Sequence, residues 1–161
     1  MKNSPATRAV LTVLCTFAFA QQHHIREQPI PFSHKQHVSL GLTCKDCHAN
    51  PGALETLPAT SKCMACHVST ATDSPAIKKL KAFADAQQPI PWARVYQVPD
   101  FVRFSHRAHL KGGFKCEKCH GPVATRDALW KETDLSMTGC IACHRQSRAS
   151  VACTYCHENL Q

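Results

Sequence analysis

Five times along this chain, two cysteines separated by two residues are followed directly by a histidine. The sets are Cys44, Cys47 and His48; Cys63, Cys66 and His67; Cys116, Cys119 and His120; Cys140, Cys143 and His144; and Cys153, Cys156 and His157. Of the 11 cysteines, Cys15 alone lies outside these motifs. A lone C-x-x-C is weak evidence, because zinc knuckles and dithiol redox sites use it too. Zinc leaves the histidine after every pair unexplained, and an odd number of knuckles leaves one without a mate. C-x-x-C-H is the attachment pattern of c-type haem, in which two thioethers hold the porphyrin and the adjacent histidine ligates iron. We therefore expect five covalently bound haem c groups on the ten cysteines. Their proximal iron ligands are then His48, His67, His120, His144 and His157.

This expectation dictates the kind of fold available. Aromatic residues make up only 7% of the chain, and its 10 prolines interrupt regular structure. A chain of this size normally rests on a larger apolar core, so something other than side chains must fill the interior. The fold class that follows is mostly irregular, with short α-helices and minimal β, wrapped around a cluster of haems.

The N-terminus reads as an address. Lys2 and Arg8 precede or flank an apolar run ending at Phe19, and Ala18-Phe19-Ala20 supplies a small-x-small cleavage pattern. Residues 1–20 are expected to be a cleaved signal peptide, which makes the mature protein periplasmic or otherwise extracytoplasmic. The apolar run is too short to span a bilayer. Removing Lys2 and Arg8 from the 19 basic residues leaves 17 against 11 acidic ones. That excess is scattered, with Lys78, Lys79 and Lys81 the one local cluster and no aromatic stripe among them. We read it as balancing haem propionates and expect no nucleic-acid partner.

The chain contains an internal repeat. At an offset of 72 residues, Phe32, Ser33, His34 and His37 fall on Phe104, Ser105, His106 and His109, Gly41 falls on Gly113, and the first C-x-x-C-H falls on the third. Each copy carries two histidines three apart ahead of its motif. On a helical turn that spacing projects two imidazoles in neighbouring directions, so one turn can reach two irons. His34, His37, His106 and His109 are thus the candidate distal ligands. Two strong axial ligands favour electron transfer over substrate chemistry, and no catalytic constellation is evident elsewhere.

Four distal histidines leave one haem of five short. Met137, three residues before Cys140, is the leading candidate, and a thioether ligand there would raise the potential of its haem. His23 and His24 compete with it, as does an iron without a protein ligand on that side. Phe32, Trp92, Phe104, Trp130 and Tyr155 are expected to lie against porphyrins.

Two modules follow: residues 21–88 with two motifs and residues 89–161 with three. Between them, Ser74 and Pro75 open a helix whose apolar stripe is Ile77, Leu80 and Ala84. It ends at Gln88-Pro89-Ile90-Pro91-Trp92, an echo of Gln28-Pro29-Ile30-Pro31-Phe32. Val95–Arg103 is expected to be a short strand or extended segment, and Asp127–Lys131 a helical turn.

At the repeated F-S-H-x-x-H…C-x-x-C-H unit, the chain resembles the class III multihaem cytochromes c, especially the small trihaem and tetrahaem periplasmic carriers. The resemblance implies short helices and a minimal strand pair around a haem cluster. It also implies that His34 serves the haem of His48 and His106 that of His120, with His37 and His109 serving neighbouring haems. A five-haem, two-plus-three layout looks more like the pentahaem subunit of quinol-oxidising alternative complex III. The partners implied are redox proteins, with peripheral association to a membrane complex. The function implied is single-electron relay rather than enzyme catalysis, with a small haem reductase working at one open iron as the alternative.

Overall fold

A computed structural model of the chain describes residues 24–48 and 57–157. The expected signal peptide, Cys15 and His23 lie outside the described residues. Among these described residues, eight short helices follow in order: α1 His34–Ser39, α2 Cys44–Cys47, α3 Thr60–His67, α4 Pro75–Asp85, α5 His106–Lys111, α6 Glu117–His120, α7 Met137–Gln146 and α8 Cys153–Cys156. A 3₁₀ turn occupies Val123–Thr125. Every C-x-x-C-H sits on one of these helices or at its end, because a helical turn brings side chains three apart to one side.

The repeat is visible in the backbone. Ser33 Oγ accepts from the Gln36 N–H at 3.0 Å and caps α1. Ser105 Oγ accepts from the Ala108 N–H at 3.3 Å and caps α5. Both helices are left through a glycine in the left-handed region, Gly41 at φ +88° and Gly113 at φ +85°.

α4 forms as its sequence requires, with Ser74 at the N-cap and Pro75 at the first helical position. It packs on α3, and Leu80 joins Ile30 and Ile90 as the buried aliphatic residues among those described. Ala76, Ile77, Phe83, Trp92 and Met64 close around them. The two Gln-Pro-Ile-Pro segments are neighbours here. Gln28 receives the Ala93 N–H and donates to the Ala93 carbonyl, both at 3.0 Å, while Phe32 and Trp92 meet edge to face at 6.2 Å. The echo in sequence thus becomes a side-by-side pair whose isoleucines share one core.

Of the two forms expected for Val95–Arg103 the strand does not form: β structure among the described residues is one antiparallel bridge, between Val102 and His157. The Arg103 N–H also donates to the Cys156 carbonyl at 2.7 Å, so this segment serves as a dock for the last motif. The helical turn expected at Asp127–Lys131 lies earlier, at Val123–Thr125, because the following residues are drawn into contacts with the first half. Ser33 Oγ donates to the Asp127 carboxylate at 2.6 Å, and the Lys35 N–H to the Arg126 carbonyl at 3.0 Å. No described helix is long and apolar enough to cross a membrane.

Candidate haem sites

The ten motif cysteines are all free thiols, so none is diverted into a disulfide. Around them the histidines stand in pairs. The ring centres of His37 and His67 are 6.1 Å apart, those of His106 and His120 6.3 Å, and those of His109 and His144 6.1 Å. His34 has His48 beside it: its imidazole is lowered to about 4, first by burial, then by His48 and His37. An imidazole nitrogen binds a first-row metal at about 2 Å. Two of them on opposite faces of one iron therefore put the ring centres roughly 6 Å apart. The separations match that requirement.

The orientation of the rings matches too. Nδ1 of His37 lies 2.8 Å from the Ser33 carbonyl, and Nδ1 of His109 2.8 Å from the Ser105 carbonyl. His67 and His144 reach the carbonyls of Thr70 and Ser150 at 3.0 and 2.6 Å, and His157 that of Phe101 at 3.3 Å. A carbonyl only accepts, so in each case Nδ1 carries the proton and Nε2 keeps the lone pair a metal needs. Phenylalanine fixes the distal pairs from behind. Phe32 stacks on His37 at 4.5 Å and meets His34 edge-on at 4.8 Å; Phe104 does the same to His109 and His106, each at 4.8 Å. Burial lowers His106 and His120, and each is lowered further by its histidine neighbours, His109 for the first and His106 and His48 for the second, a shift toward the neutral form that binds a metal.

Haem c fits this donor set and zinc does not. Among the described residues, no three His, Cys, Asp or Glu side chains converge as a group able to hold a metal ion. Opposed histidine pairs with thiols on adjoining helical turns suit a planar group with two axial ligands. The small aliphatic core has the same meaning, since these contacts leave much of the interior to something other than side chains.

The remaining candidates are distributed differently. Met137 begins α7 and is 67% exposed, while the ring that faces His144 belongs to His109. His24 lines a cavity of about 320 Å³ with Arg26, Val95, Trp130 and Lys131, none of them a motif residue. The fifth motif is held by the bridge at Val102 and by Phe101, whose ring stacks on His157 at 5.9 Å.

One supporting group escapes a reading of the sequence. Tyr96 lies 4.5 Å from the His120 ring, donates to the Cys119 carbonyl at 3.1 Å and accepts from the Glu132 N–H at 2.9 Å. Burial raises its phenol above the usual range, so it stays protonated. Beside it, Arg126 pairs with Glu132 and lies 3.7 Å over the Trp130 ring. One face of the Trp130 ring is thus covered by a guanidinium. A tyrosine in V-Y-Q-V has no local feature that distinguishes it from a strand residue, so no sequence signal marks this role.

Two family matches divide the chain between its halves. The class III cytochrome c family matches residues 15–90, and the family described as cytochrome c7 and related cytochrome c matches residues 102–158. A similar protein is the menaquinone reductase, multihaem cytochrome c subunit, of Nitratidesulfovibrio vulgaris. It is 31% identical, over 83% of this chain and 78% of that one.

Proposed function

Because this chain belongs to the class III multihaem cytochromes c, we propose that it is a periplasmic pentahaem relay passing single electrons between respiratory redox partners. When bound, haem c supplies the one-electron chemistry. The work of the chain is to attach, ligate, orient and space the groups. Ten cysteines would attach them, His48, His67, His120, His144 and His157 would hold the irons as the motif histidines, and His34, His37, His106 and His109 would supply second ligands. Met137 is the proposed fifth of these.

The observation that carries this reading is the set of opposed imidazoles about 6 Å apart. It also supports a spatial order. α1 bears His34 and His37, which face the first and second motifs; α5 bears His106 and His109, which face the third and fourth. The halves join where α1 meets residues 126 and 127. Burial raises the thiols of Cys63, Cys116, Cys119 and Cys140, and in each case a thiol of another motif raises it further: Cys47, Cys44, Cys143 and Cys156 respectively. These neighbours support a row running second, first, third, fourth, fifth, with a dihaem module at residues 21–88 and a trihaem module at 89–161.

The purified mature protein should contain five haems per chain by pyridine haemochrome assay, with low-spin spectra at the bis-histidine sites. Bound zinc and no haem would end this reading. A second reading, a relay working only inside a membrane complex, is favoured by the relative's place in a menaquinone reductase. Co-purification with membrane partners from the native cell separates it from a free carrier.

A further inference from the structure

The histidine pairs with ring centres about 6 Å apart differ in how their planes meet. His37 and His67 cross at 69° and His109 and His144 at 51°, whereas His106 and His120 stand at 15°, nearly parallel. The restraints on the rings differ in the same way. In the two turned pairs, all four imidazoles reach a main-chain carbonyl through Nδ1. Among the described residues, neither His106 nor His120 has such a bond. Aromatic walls hold these two instead. Phe104 meets His106 at 4.8 Å and 89°, and Tyr96 meets His120 at 4.5 Å and 66°. A ring set edge-on against another leaves it little freedom to turn. Tyr96 is itself anchored to the main chain on both sides of the site, since its hydroxyl donates to the Cys119 carbonyl and accepts from the Glu132 N–H.

We propose that Tyr96 is a positioning residue: by holding the His120 imidazole parallel to that of His106, it keeps the potential of the third haem below what crossed rings would give. This rests on the relay reading above. Groups behind an axial ligand fix its orientation, and the axial ligands tune the iron. Each imidazole's π system raises the iron d orbital that lies perpendicular to its own ring. Two parallel rings raise the same orbital together, which favours the oxidised state, where that orbital is half empty. Crossed rings divide the effect between two orbitals, and the oxidised state gains less. The third motif stands where the two halves of the proposed row meet, so Tyr96 tunes the step that joins the dihaem module to the trihaem module.

The test is electron paramagnetic resonance of the oxidised holoprotein, with a redox titration. Parallel rings split the two orbitals and give a rhombic low-spin signal with three resolved g values. Crossed rings leave them nearly degenerate and give a strongly anisotropic signal with one large g value. His106→Ala should remove one haem's share of the rhombic signal and leave the anisotropic share intact, which assigns the signal. Loss of an anisotropic share instead overturns the proposal before any Tyr96 variant is made. Tyr96→Leu should convert the assigned share from rhombic to anisotropic and shift the midpoint of that haem upward, with haem content unchanged. Tyr96→Phe keeps the ring and should keep the rhombic signal even as stability falls. Thr133→Ala removes the other bond to the Cys119 carbonyl, at 2.8 Å, without touching the imidazole, and should also keep it. An unchanged spectrum in Tyr96→Leu, or the same conversion in Tyr96→Phe or Thr133→Ala, overturns the proposal. A protein devoid of haem would instead refute the relay reading itself, so the two failures are distinguishable.

Discussion

The two copies of the repeat build the same ligand-bearing turn and then stabilise it by different means. In each, a serine caps a six-residue helix, a phenylalanine braces two histidines, and a left-handed glycine ends the unit. Around the first copy, support comes from packing: Ile30, Leu80 and Ile90 close beneath α3 and α4. Around the second, it comes from polar contacts: Tyr96 ties Cys119 to Glu132, and Arg126 bridges Trp130 and Glu132. On the proposed reading, iron ligation would demand the same local geometry twice, whereas the surroundings need only hold that geometry still, which leaves the support of each turn free to differ.

That contrast can be broken at the ligands first, where the largest effect is expected. His37→Ala and His109→Ala should each turn about one haem in five high-spin, read by visible and electron paramagnetic resonance spectra and by carbon monoxide binding. If either variant leaves every haem low-spin, the two turns are not equivalent. The next comparison concerns support. Leu80→Ala empties part of a very small core and should cost about 2–5 kcal/mol, measured by denaturant unfolding of the holoprotein. Tyr96→Phe removes one hydroxyl from a bonded network and should cost about 1–3 kcal/mol. A larger loss at Tyr96 than at Leu80 would reverse the assignment of packing to the first half and polar support to the second.

Two smaller effects sharpen the picture. Gly139 has no room for a methyl group: a Cβ there would lie 2.4 Å from the Asp134 carbonyl and 2.7 Å from its carboxyl carbon. Gly139→Ala should therefore displace the first turn of α7 and cost about 1–3 kcal/mol by thermal unfolding, with the low-spin signal of the His144 site disturbed and that of the His67 site intact. The smallest difference lies between the caps. Ser105→Ala should cost about 1 kcal/mol as a lost N-cap. Ser33→Ala should cost more, because Ser33 also bonds Asp127 across the halves. Equal costs would mean that this link contributes nothing to holding the halves together.

Much of the candidate site was legible in the residues themselves. The five motifs, the 72-residue repeat and the start of α4 are all local patterns, decided within a turn or two of helix. Its tertiary pairing was less legible. Spacing showed that the two histidines of each turn can reach two irons, yet only the folded chain sets His37 against His67 and His109 against His144. Which of two forms Val95–Arg103 takes, strand or extended segment, was open for a related reason: a strand needs a partner, and among the described residues its one bridge is to His157 of the last motif.

By itself, then, the sequence determined the candidates: which cysteines are offered for attachment, which histidines are offered to iron, and that one module was copied. Those are short-range properties, set by covalent spacing and by the side-chain directions of a helical turn. Only the tertiary structure decided which imidazoles face each other, how the two Gln-Pro-Ile-Pro segments share a core, and which motif stands beside which. Those depend on contacts between residues tens of positions apart, whose geometry arises from packing and carries no local signature.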